Sequence, residues 1–244
     1  MDLEIREFFT EQYENNWYLA SRADILSSII RPLCGLRPAC RLVDVGAGIG
    51  SVLAKVGHEP AIAIEGDLPL ARVGRSRHGL RFLVADLSAG IPLSDGCADV
   101  ALALDVVEHL DDDRAALAEI FRILRPSGRL VVSVPAFQSL WSRHDELHHH
   151  KRRYSRQALL EVLAATGFSC SRVTYFNTFL FPLVYASRKL ESFAPGRGRG
   201  KTDYEKPPPW LAGALGGIFG LEARIIPYCN LPIGVSLLAI ASKP

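Results

Sequence analysis

The 244-residue sequence predicts a doubly wound α/β fold with a mostly parallel sheet. Short apolar runs alternate with stretches of helical periodicity, which is typical of parallel strands that are buried on both faces. Several of these runs end in glycine or in an acidic residue, as strands do where a ligand binds at the carboxyl edge of such a sheet. The composition is that of an ordinary globular domain, with 48% hydrophobic and 22% charged residues.

The first half of the chain contains a helix followed by five strands. Residues 24–30 carry apolar side chains at helical spacing, so the first forty residues are predicted to be helical up to the breakers Pro32 and Pro38. The clearest later helix is 111–124, which Pro126-Ser127-Gly128 is expected to stop. The five strands are predicted at residues 42–45, 61–64, 82–85, 98–104 and 130–134.

The second half is predicted to add a loop, a helix, two strands and an insertion. A loop rich in aromatic residues and histidines covers 137–154, and a helix begins at the N-cap Ser155 and is closed by Gly167. The remaining strands are expected at 168–175 and 234–241. A long insertion separates them, with helices at 179–193 and 210–224. We expect one domain, 1–244, which consists of an N-terminal helical lid (1–39), a cofactor-binding core with the acceptor loop (40–175), a helical insertion (176–232) and the last strand (233–244).

The first strand leads into a glycine-rich loop, Asp44-Val45-Gly46-Ala47-Gly48-Ile49-Gly50, which opens a helix. Glycines at these positions let the backbone turn sharply and come close to a ligand. Taken alone, the loop is a modest signal, because a dinucleotide site or an ordinary strand–helix turn offers a similar pattern.

Acidic residues stand at the ends of the next three strands. Glu65 ends the second strand, about twenty residues past the loop, where an acid accepts hydrogen bonds from ribose hydroxyls. Asp86 ends the third strand and Asp105 ends the fourth. Each acid alone fits a helix cap or a solvated loop end better than a ligand site. Together with the glycines they are expected to line one crevice, because the carboxyl ends of parallel strands share one edge of the sheet.

Residues 40–135 resemble a class I S-adenosylmethionine-dependent methyltransferase, a family of Rossmann-like fold with a seven-stranded, mostly parallel sheet. The resemblance rests on an ordered set of motifs. They are Val43-Asp44-Val45-Gly46-Ala47-Gly48-Ile49-Gly50, Glu65, Ala85-Asp86-Leu87, Asp105-Val106-Val107-Glu108-His109-Leu110 and Arg122-Ile123-Leu124-Arg125-Pro126-Ser127-Gly128. The set at this spacing is specific, although no single part is. It implies S-adenosylmethionine as the cofactor.

The resemblance also implies individual roles in binding the cofactor. Glu65 would bind the ribose hydroxyls, Asp86 would meet the adenine amino group, and Asp105 would lie beside the methionine and the sulfonium. Tyr18 and Arg22 belong to a segment that resembles a lid and would contact the cofactor carboxylate, although the segment fits equally well as a helix packed on the sheet edge. The full set of implied cofactor residues is Tyr18, Arg22, Asp44, Gly46, Ala47, Gly48, Glu65, Gly66, Asp86, Leu87, Asp105 and Val106.

A histidine- and arginine-rich segment follows the fifth strand and is expected to reach the rim of the crevice. It reads Trp141-Ser142-Arg143-His144-Asp145, and then His150-Lys151-Arg152-Arg153-Tyr154 after a short gap. It resembles a methyltransferase subgroup with a W-S-x-H-D…H-x-R-R-Y segment at this place. Three interpretations remain open, namely acceptor binding with proton removal, metal binding, and a structural loop whose ion pairs fix the end of the sheet.

In the first interpretation the segment supplies the catalytic residues. His144 paired with Asp145, or His150, would act as general base, and Arg152 and Arg153 would clamp a carboxylate or phosphate. The candidates are His144, Asp145, His150, Arg153 and Tyr154.

In the second interpretation the histidine run would hold a metal ion. Three consecutive histidines point in different directions on any regular backbone, whereas a ligand set has to converge on one point. We therefore predict no metal ligand. Glu108 and His109 are expected to shape the turn after the fourth strand rather than to perform chemistry.

The function predicted from these features is methyl transfer to a small-molecule or lipid-linked acceptor. Asp105 is not followed by Pro-Pro-Tyr or Pro-Pro-Phe, which disfavours amino-group methylation of the nucleic-acid type. Two alternatives remain: a non-catalytic partner subunit that binds the cofactor, and an NAD-dependent oxidoreductase. The second would need the third glycine of the loop one residue later.

Charge and cysteine content narrow the choice of partner and compartment. A net charge of +2 gives no reason to expect a nucleic-acid partner. Five scattered cysteines without a C-x-x-C pair favour a reducing cytoplasm. The apolar insertion is compatible with four roles: core packing, a homodimer face, an apolar cover over the acceptor, or an interfacial patch that contacts a membrane peripherally.

Overall fold

The computed structural model describes residues 16–35, 39–193 and 207–244. The helices in these parts are α1 (Trp17–Cys34), α2 (Ser51–Val56), α3 (Leu68–His78), α4 (Asp113–Ile123), α5 (Arg143–Leu147), α6 (Arg156–Ala165), α7 (Phe181–Phe193), α8 (Pro209–Gly220) and α9 (Glu222–Ile225). The strands are β1 (Leu42–Val45), β2 (Ala61–Glu65), β3 (Phe82–Val84), β4 (Ala98–Leu104), β5 (Leu124–Pro135), β6 (Ser169–Phe176) and β7 (Ser236–Ser242). Short 3₁₀ helices cover Leu87–Ala89, Val107–His109 and Gln138–Leu140.

The described strands form one seven-stranded sheet in the order β3-β2-β1-β4-β5-β7-β6. Strands β1 to β5 run parallel to one another, and β7 runs antiparallel to both β5 and β6. The strand order reverses beside β1, between β1 and β4, which is where open α/β sheets bind their ligands. The predicted fold class, a Rossmann-like, mostly parallel sheet, is confirmed.

A buried apolar layer covers each face of the sheet. On one face, α4 and α6 pack through residues such as Leu117 and Leu159. On the other face, α1, α2 and the end of α8 pack through residues such as Ile25, Leu53 and Phe219. Burial on both faces explains why the central strands read as continuous apolar runs in the sequence.

Helix α1 is a layer of the core. Asn16 caps its first turn by accepting hydrogen bonds from the backbone N–H groups of Tyr18 and Leu19, at 3.0 and 3.2 Å. Its buried face includes Ile25, Leu26 and Ile30, which pack on the sheet, while its first turns reach the carboxyl edge of the strands. The helix therefore packs on the sheet and borders the crevice at once; residues 1–15 of the expected lid lie outside the described residues.

Strand β5 is longer than predicted, and it corrects the expected helix stop. Pro126-Ser127-Gly128 lies inside the strand rather than after a helix, because Leu124 already pairs with Ala98. The backbone N–H of Ser127 donates to the carbonyl of Lys243 at 2.9 Å, and the N–H of Lys243 donates to the carbonyl of Gly128 at 3.0 Å. These long-range bonds extend the sheet where local turn residues suggested a break.

The insertion contains the two expected helices, with α8 followed by the short α9. The basic cluster 197–201 lies outside the described residues. Glu222 anchors the insertion, because its buried carboxylate accepts hydrogen bonds from the backbone N–H groups of Asn177, Thr178 and Phe179 at 2.7–3.0 Å. Within the described part of the chain, no helix has the length and apolar character needed to cross a bilayer.

Candidate functional site

A cavity of about 850 Å³ opens at the carboxyl edge of the sheet. This volume lies toward the upper end of the roughly 300–1,000 Å³ usual for small-molecule sites. All of the predicted cofactor residues line it: Tyr18, Arg22, Asp44, Gly46, Ala47, Gly48, Glu65, Gly66, Asp86, Leu87, Asp105 and Val106. The predicted catalytic residues His144, His150 and Arg153 line it as well, whereas Asp145 and Tyr154 do not.

The glycine loop has the backbone that its sequence requires. Gly46 and Gly48 both adopt positive φ, at 73° and 58°. A Cβ on Gly46 would stand 2.5 Å from the Val106 side chain, whereas a Cβ on Gly48 would meet no atom within 4 Å. Gly46 is therefore required by close packing, and Gly48 leaves its backbone open to a ligand in the cavity.

Glu65 holds the glycine loop against the end of β2. Its Oε2 accepts a hydrogen bond from the N–H of Gly48 at 2.7 Å, and its Oε1 accepts one from the N–H of Asp67 at 2.8 Å. Burial raises the pKa of Glu65, against these backbone hydrogen bonds. Because a carboxylate offers about four lone-pair sites, it can still accept hydrogen bonds from a pair of ribose hydroxyls.

Asp44 and Asp86 stand in contrasting environments on the same wall. Asp44 is buried at the end of β1, and burial together with the Glu65 charge raises its pKa to about 7. Asp86 is exposed and caps the 3₁₀ turn after β3, where the hydroxyl and the N–H of Ser88 both donate to its Oδ1 and lower its pKa. Its other oxygen remains available to an amino group.

Asp105 joins α1 to the sheet beside the centre of the cavity. Its Oδ2 pairs with Nη2 of Arg22 at 2.6 Å, and its Oδ1 accepts a hydrogen bond from the Ser133 hydroxyl at 2.7 Å. The Arg22 side chain is 8% exposed and that of Asp105 is 37% exposed, so the carboxylate still faces the cavity. Asp105 also has a positive φ of 56°, a backbone state that aspartate tolerates better than most residues.

The histidine- and arginine-rich segment contains a helix that the sequence analysis assigned to loop. Ser142 caps α5: its hydroxyl accepts from the N–H of His144 at 3.2 Å, and its own N–H donates to Oδ2 of Asp145 at 2.9 Å. This reciprocal pair is a capping box, with Asp in place of the usual Glu or Gln. The guanidinium of Arg188 in α7 also donates to the Ser142 hydroxyl, which ties the insertion to this turn.

Asp145 is the buried hub of the segment. Its Oδ1 accepts hydrogen bonds from Nε of Arg153 at 2.7 Å and binds Nδ1 of His150 at 2.8 Å. Burial alone would raise the pKa of Asp145, but the hydrogen bonds from His150 and Arg153 outweigh it and hold that pKa far below its usual range. Asp145 thus orients His150, which is the second of the two general bases proposed from the sequence.

Two other predicted acceptor residues have structural partners. Tyr154 is buried, and its hydroxyl donates to Oδ2 of Asp113 at 2.6 Å; burial and this bond raise its pKa strongly. Arg152 pairs with the same Asp113 oxygen and donates to the carbonyl groups of Leu110 and Asp111. These contacts occupy Arg152 and Tyr154 in holding the segment, so a direct catalytic role for Tyr154 has no geometric support.

The turn after β4 contributes two residues to the cavity that were expected only to shape the turn. Glu108 and His109 both border the cavity beside His150. Burial and the charge of Asp105 raise the pKa of Glu108 well above its usual range, against a smaller opposing effect of its own backbone N–H. Burial lowers the pKa of His109 to about 4. The sequence signals were their place directly after a predicted ligand-binding strand end and their membership of the motif that begins at Asp105.

Apolar side chains from the insertion close the other side of the cavity. Leu180, Leu183, Val184 and Leu215 line it there. Tyr18 stacks on Phe219 with ring centroids 5.3 Å apart, which joins the first turn of α1 to α8. The same cavity is therefore polar along the strand ends and apolar beneath the insertion.

Comparison with known proteins agrees with this geometry. Residues 43–132 match the family model described as "Methyltransferase domain". An O-methyltransferase from Pyrenophora dematioidea is 27% identical over 206 residues, which cover 76% of this chain and 72% of that protein. A demethylmenaquinone methyltransferase from Corynebacterium kroppenstedtii is 28% identical over 114 residues, 44% of this chain and 50% of that protein.

The fold has close counterparts among solved structures. A SAM-dependent methyltransferase from Thermotoga maritima aligns over 100% of both chains with a TM-score of 0.62 and 22% identity. At that identity the likeness shows the fold alone. The chain spans about half the length of several curated relatives that it matches, at 48%, 50% and 56%.

Proposed function

We propose that this chain, in which residues 43–132 form a class I S-adenosylmethionine-dependent methyltransferase domain, transfers a methyl group to a small-molecule or lipid-linked acceptor. The observation that carries the proposal is the single cavity, which the glycine loop and strand-end acids line on one side and the histidines and apolar insertion line on the other. A nucleoside-sized cofactor and a second small molecule can share a space of this volume and lining.

The residues present fit S-adenosylmethionine, which supplies an electrophilic methyl group when bound. The open face of Gly48 admits a close backbone approach, and Glu65 has lone pairs left for ribose hydroxyls. Asp86 offers a carboxylate oxygen to the adenine amino group. Asp105, held by Arg22 and Ser133, stands between these groups and the histidines, which is the place for the methionine end.

Catalysis on this scaffold rests chiefly on positioning. Alignment of a nucleophile with the reacting carbon at about 3–3.5 Å supplies a large part of the rate in group transfer. The acceptor would lie between Asp105 and the histidines, with its polar atom toward His144 and His150 and its apolar part against Leu183 and Leu215. A histidine on this wall would remove the acceptor proton where the nucleophile carries one.

An apolar acceptor agrees with the lining of the cavity and with the names of the relatives. The side of the cavity beneath the insertion, which we call the roof, is made of leucine and valine side chains, and exposed apolar residues of the insertion continue outside it, including Leu190 and Trp210. Two similar proteins are named for transfer to oxygen and to demethylmenaquinone. Peripheral membrane contact through the exposed residues of the insertion is part of this proposal.

The proposal is tested by incubation of the purified chain with S-adenosylmethionine labelled in its methyl group and with fractionated cell extract. We expect label to pass into an organic-soluble product. Label in an aqueous product would keep methyl transfer and contradict the lipid-linked acceptor. Stabilisation by S-adenosylhomocysteine without transfer to any fraction would favour the non-catalytic partner subunit, and stabilisation by NAD alone would favour the oxidoreductase.

A further inference from the structure

Glu108 carries a buried carboxyl group that has no role in the proposed cofactor site. It is 0% exposed and borders the cavity, and among the described residues neither of its carboxylate oxygens has another residue as hydrogen-bond partner. A buried polar group without partners is costly, and buried carboxylates are usually paired or bound to a metal ion. Packing alone therefore does not account for a carboxyl at this position.

Two histidines converge on this carboxyl. Glu108, His109 and His150 each offer one ligand atom, and these three atoms lie within 4.8 Å of one another. The rings of His109 and His150 meet edge to face, with centroids 4.7 Å apart. The backbone brings the distant residue into place, because the N–H of Lys151 donates to the carbonyl of Glu108 at 2.8 Å.

The orientation of His150 suits it to metal binding. Its Nδ1 is engaged by Asp145 at 2.8 Å, so its Nε2 is the nitrogen left for a ligand. Metal-binding histidines usually donate their second ring nitrogen to a carboxylate, which fixes the ring and makes the ligand atom more basic. Asp145 is in turn held by Arg153 and by the N–H of Ser142. Such a supported carboxylate–histidine pair is what a metal ligand needs behind it.

We propose that Glu108, His109 and His150 bind one divalent transition-metal cation at the acceptor side of the cavity. Two imidazoles and one carboxylate suit zinc and its first-row neighbours. Three protein ligands leave a coordination position open toward the cavity, as in catalytic rather than structural sites. The separations would close by roughly an ångström, since bonds of about 2.0–2.2 Å set the ligand spacing.

An acceptor oxygen is the natural occupant of the open position. A metal-bound hydroxyl loses its proton more easily and is held in a fixed direction. This role rests on the proposed function, whereas metal binding itself does not. The proposal revises the expectation of no metal ligand: of the histidine run, only His150 takes part, together with two residues from the turn after β4.

A second group of possible ligands has to be separated from this one. Cys34, Cys40 and His58 also place one ligand atom each within 4.8 Å of one another, at the opposite end of β1. Nε2 of His58 already lies 2.7 Å from the carbonyl of Cys40, and these three residues do not line the 850 Å³ cavity. They provide the control for the experiment.

Zinc binding to the whole, chelator-treated protein tests the proposal by titration calorimetry. The sharpest variant is His150→Asn, because the asparagine amide can still donate to Asp145 while the Nε2 position is lost. We expect one zinc ion per wild-type chain, and affinity at least about 100-fold weaker in His150→Asn and in Glu108→Gln. The matched control Cys34→Ala is expected to keep wild-type affinity.

Three results would overturn the proposal: no zinc binding by the wild type, unchanged affinity in His150→Asn, or loss of binding in Cys34→Ala. Metal-free melting of each variant shows whether the substitution has merely unfolded the chain, and Glu108→Gln then gives a second reading of the same site. Methyl transfer without zinc binding would remove the metal site and keep the proposed function. Zinc binding without methyl transfer would keep the metal site and remove the proposed function.

Discussion

The two walls of the cavity are built in different ways. The cofactor wall, formed by the glycine loop and the ends of β1 to β3, depends on backbone shape and on side chains that bond to nearby backbone, as Glu65 does to Gly48 and Asp67. The acceptor wall, formed by residues 137–154 and the insertion, depends on side-chain bonds between distant residues. Arg188 reaches Ser142, and Tyr154 reaches Asp113.

Because of this difference, we expect substitutions on the cofactor wall to weaken ligand binding and substitutions on the acceptor wall to lower the stability of the fold. On the cofactor wall, strand ends and glycines hold the backbone, so single side chains remain available to a ligand. On the acceptor wall, charged groups such as Asp145 and Arg153 are buried and satisfy one another. Removal of one partner there leaves the other buried and unpaired, which is strongly destabilising. Substitutions on the cofactor wall should therefore show their effect in ligand-induced stabilisation, and those on the acceptor wall in the free energy of unfolding.

The largest effect is expected from Asp145→Ala on the acceptor wall. The substitution removes the carboxylate that pairs with the buried Arg153 guanidinium and with His150. It also breaks the capping box of α5. We expect the free energy of unfolding to fall by about 3–5 kcal/mol in urea denaturation. The control is Asp111→Ala, whose carboxylate is 88% exposed and pairs with Lys151, and which should stay within about 0.5 kcal/mol of wild type. Equal effects of the two substitutions would contradict the picture of a buried hub.

A smaller effect, visible only with ligand, is expected from Glu65→Ala on the cofactor wall. S-adenosylhomocysteine at about 100 times its Kd should stabilise the wild type by about 2.7 kcal/mol. The variant should lose most of that gain in thermal melting, because the loop anchor and the ribose acceptor are both removed. Glu119→Ala is the matched control. Glu119 also accepts a hydrogen bond from a backbone N–H, that of Ile91 at 2.9 Å, but it does not line the cavity. Retention of the full ligand shift in Glu65→Ala would count against this cofactor site.

The smallest effect is expected from Ser133→Ala, at the seam between the walls. The substitution removes the hydroxyl that donates to Asp105 and accepts from Arg22, at 2.7 and 3.3 Å, but the ion pair between those two residues persists. We expect a loss of about 1–2 kcal/mol of unfolding free energy. Ser28→Ala, which removes a local bond to the carbonyl of Ile25, is the control and should change stability by less than about 0.5 kcal/mol. If Ser133→Ala proved as mild, the Asp105 carboxylate would need no second support.

The same contrast explains what could be predicted from the sequence. The strand ends, the glycine loop and their common edge follow from short-range patterns, so the predicted cofactor residues all meet in one cavity. The hydrogen bonds of Asp145 could not be predicted from the sequence, because they depend on which side chains are buried beside it in the folded chain. The contact of Glu108 with His150 depends on a backbone bond that joins two separate turns. The bonds that Ser127 and Gly128 make next to Pro126 are to Lys243, which directly follows β7 and lies more than a hundred residues later.

The bond between Arg188 and Ser142 has a consequence for the redesign of this cavity. Helix α7 belongs to the roof, whereas Ser142 starts the helix whose Asp145 orients His150. Replacement of α7 would therefore remove a bond to the turn that precedes Asp145 and His150. In a chimaera that takes α7 from a relative, we expect the Ser142 turn to need transfer along with it, so that this bond is kept.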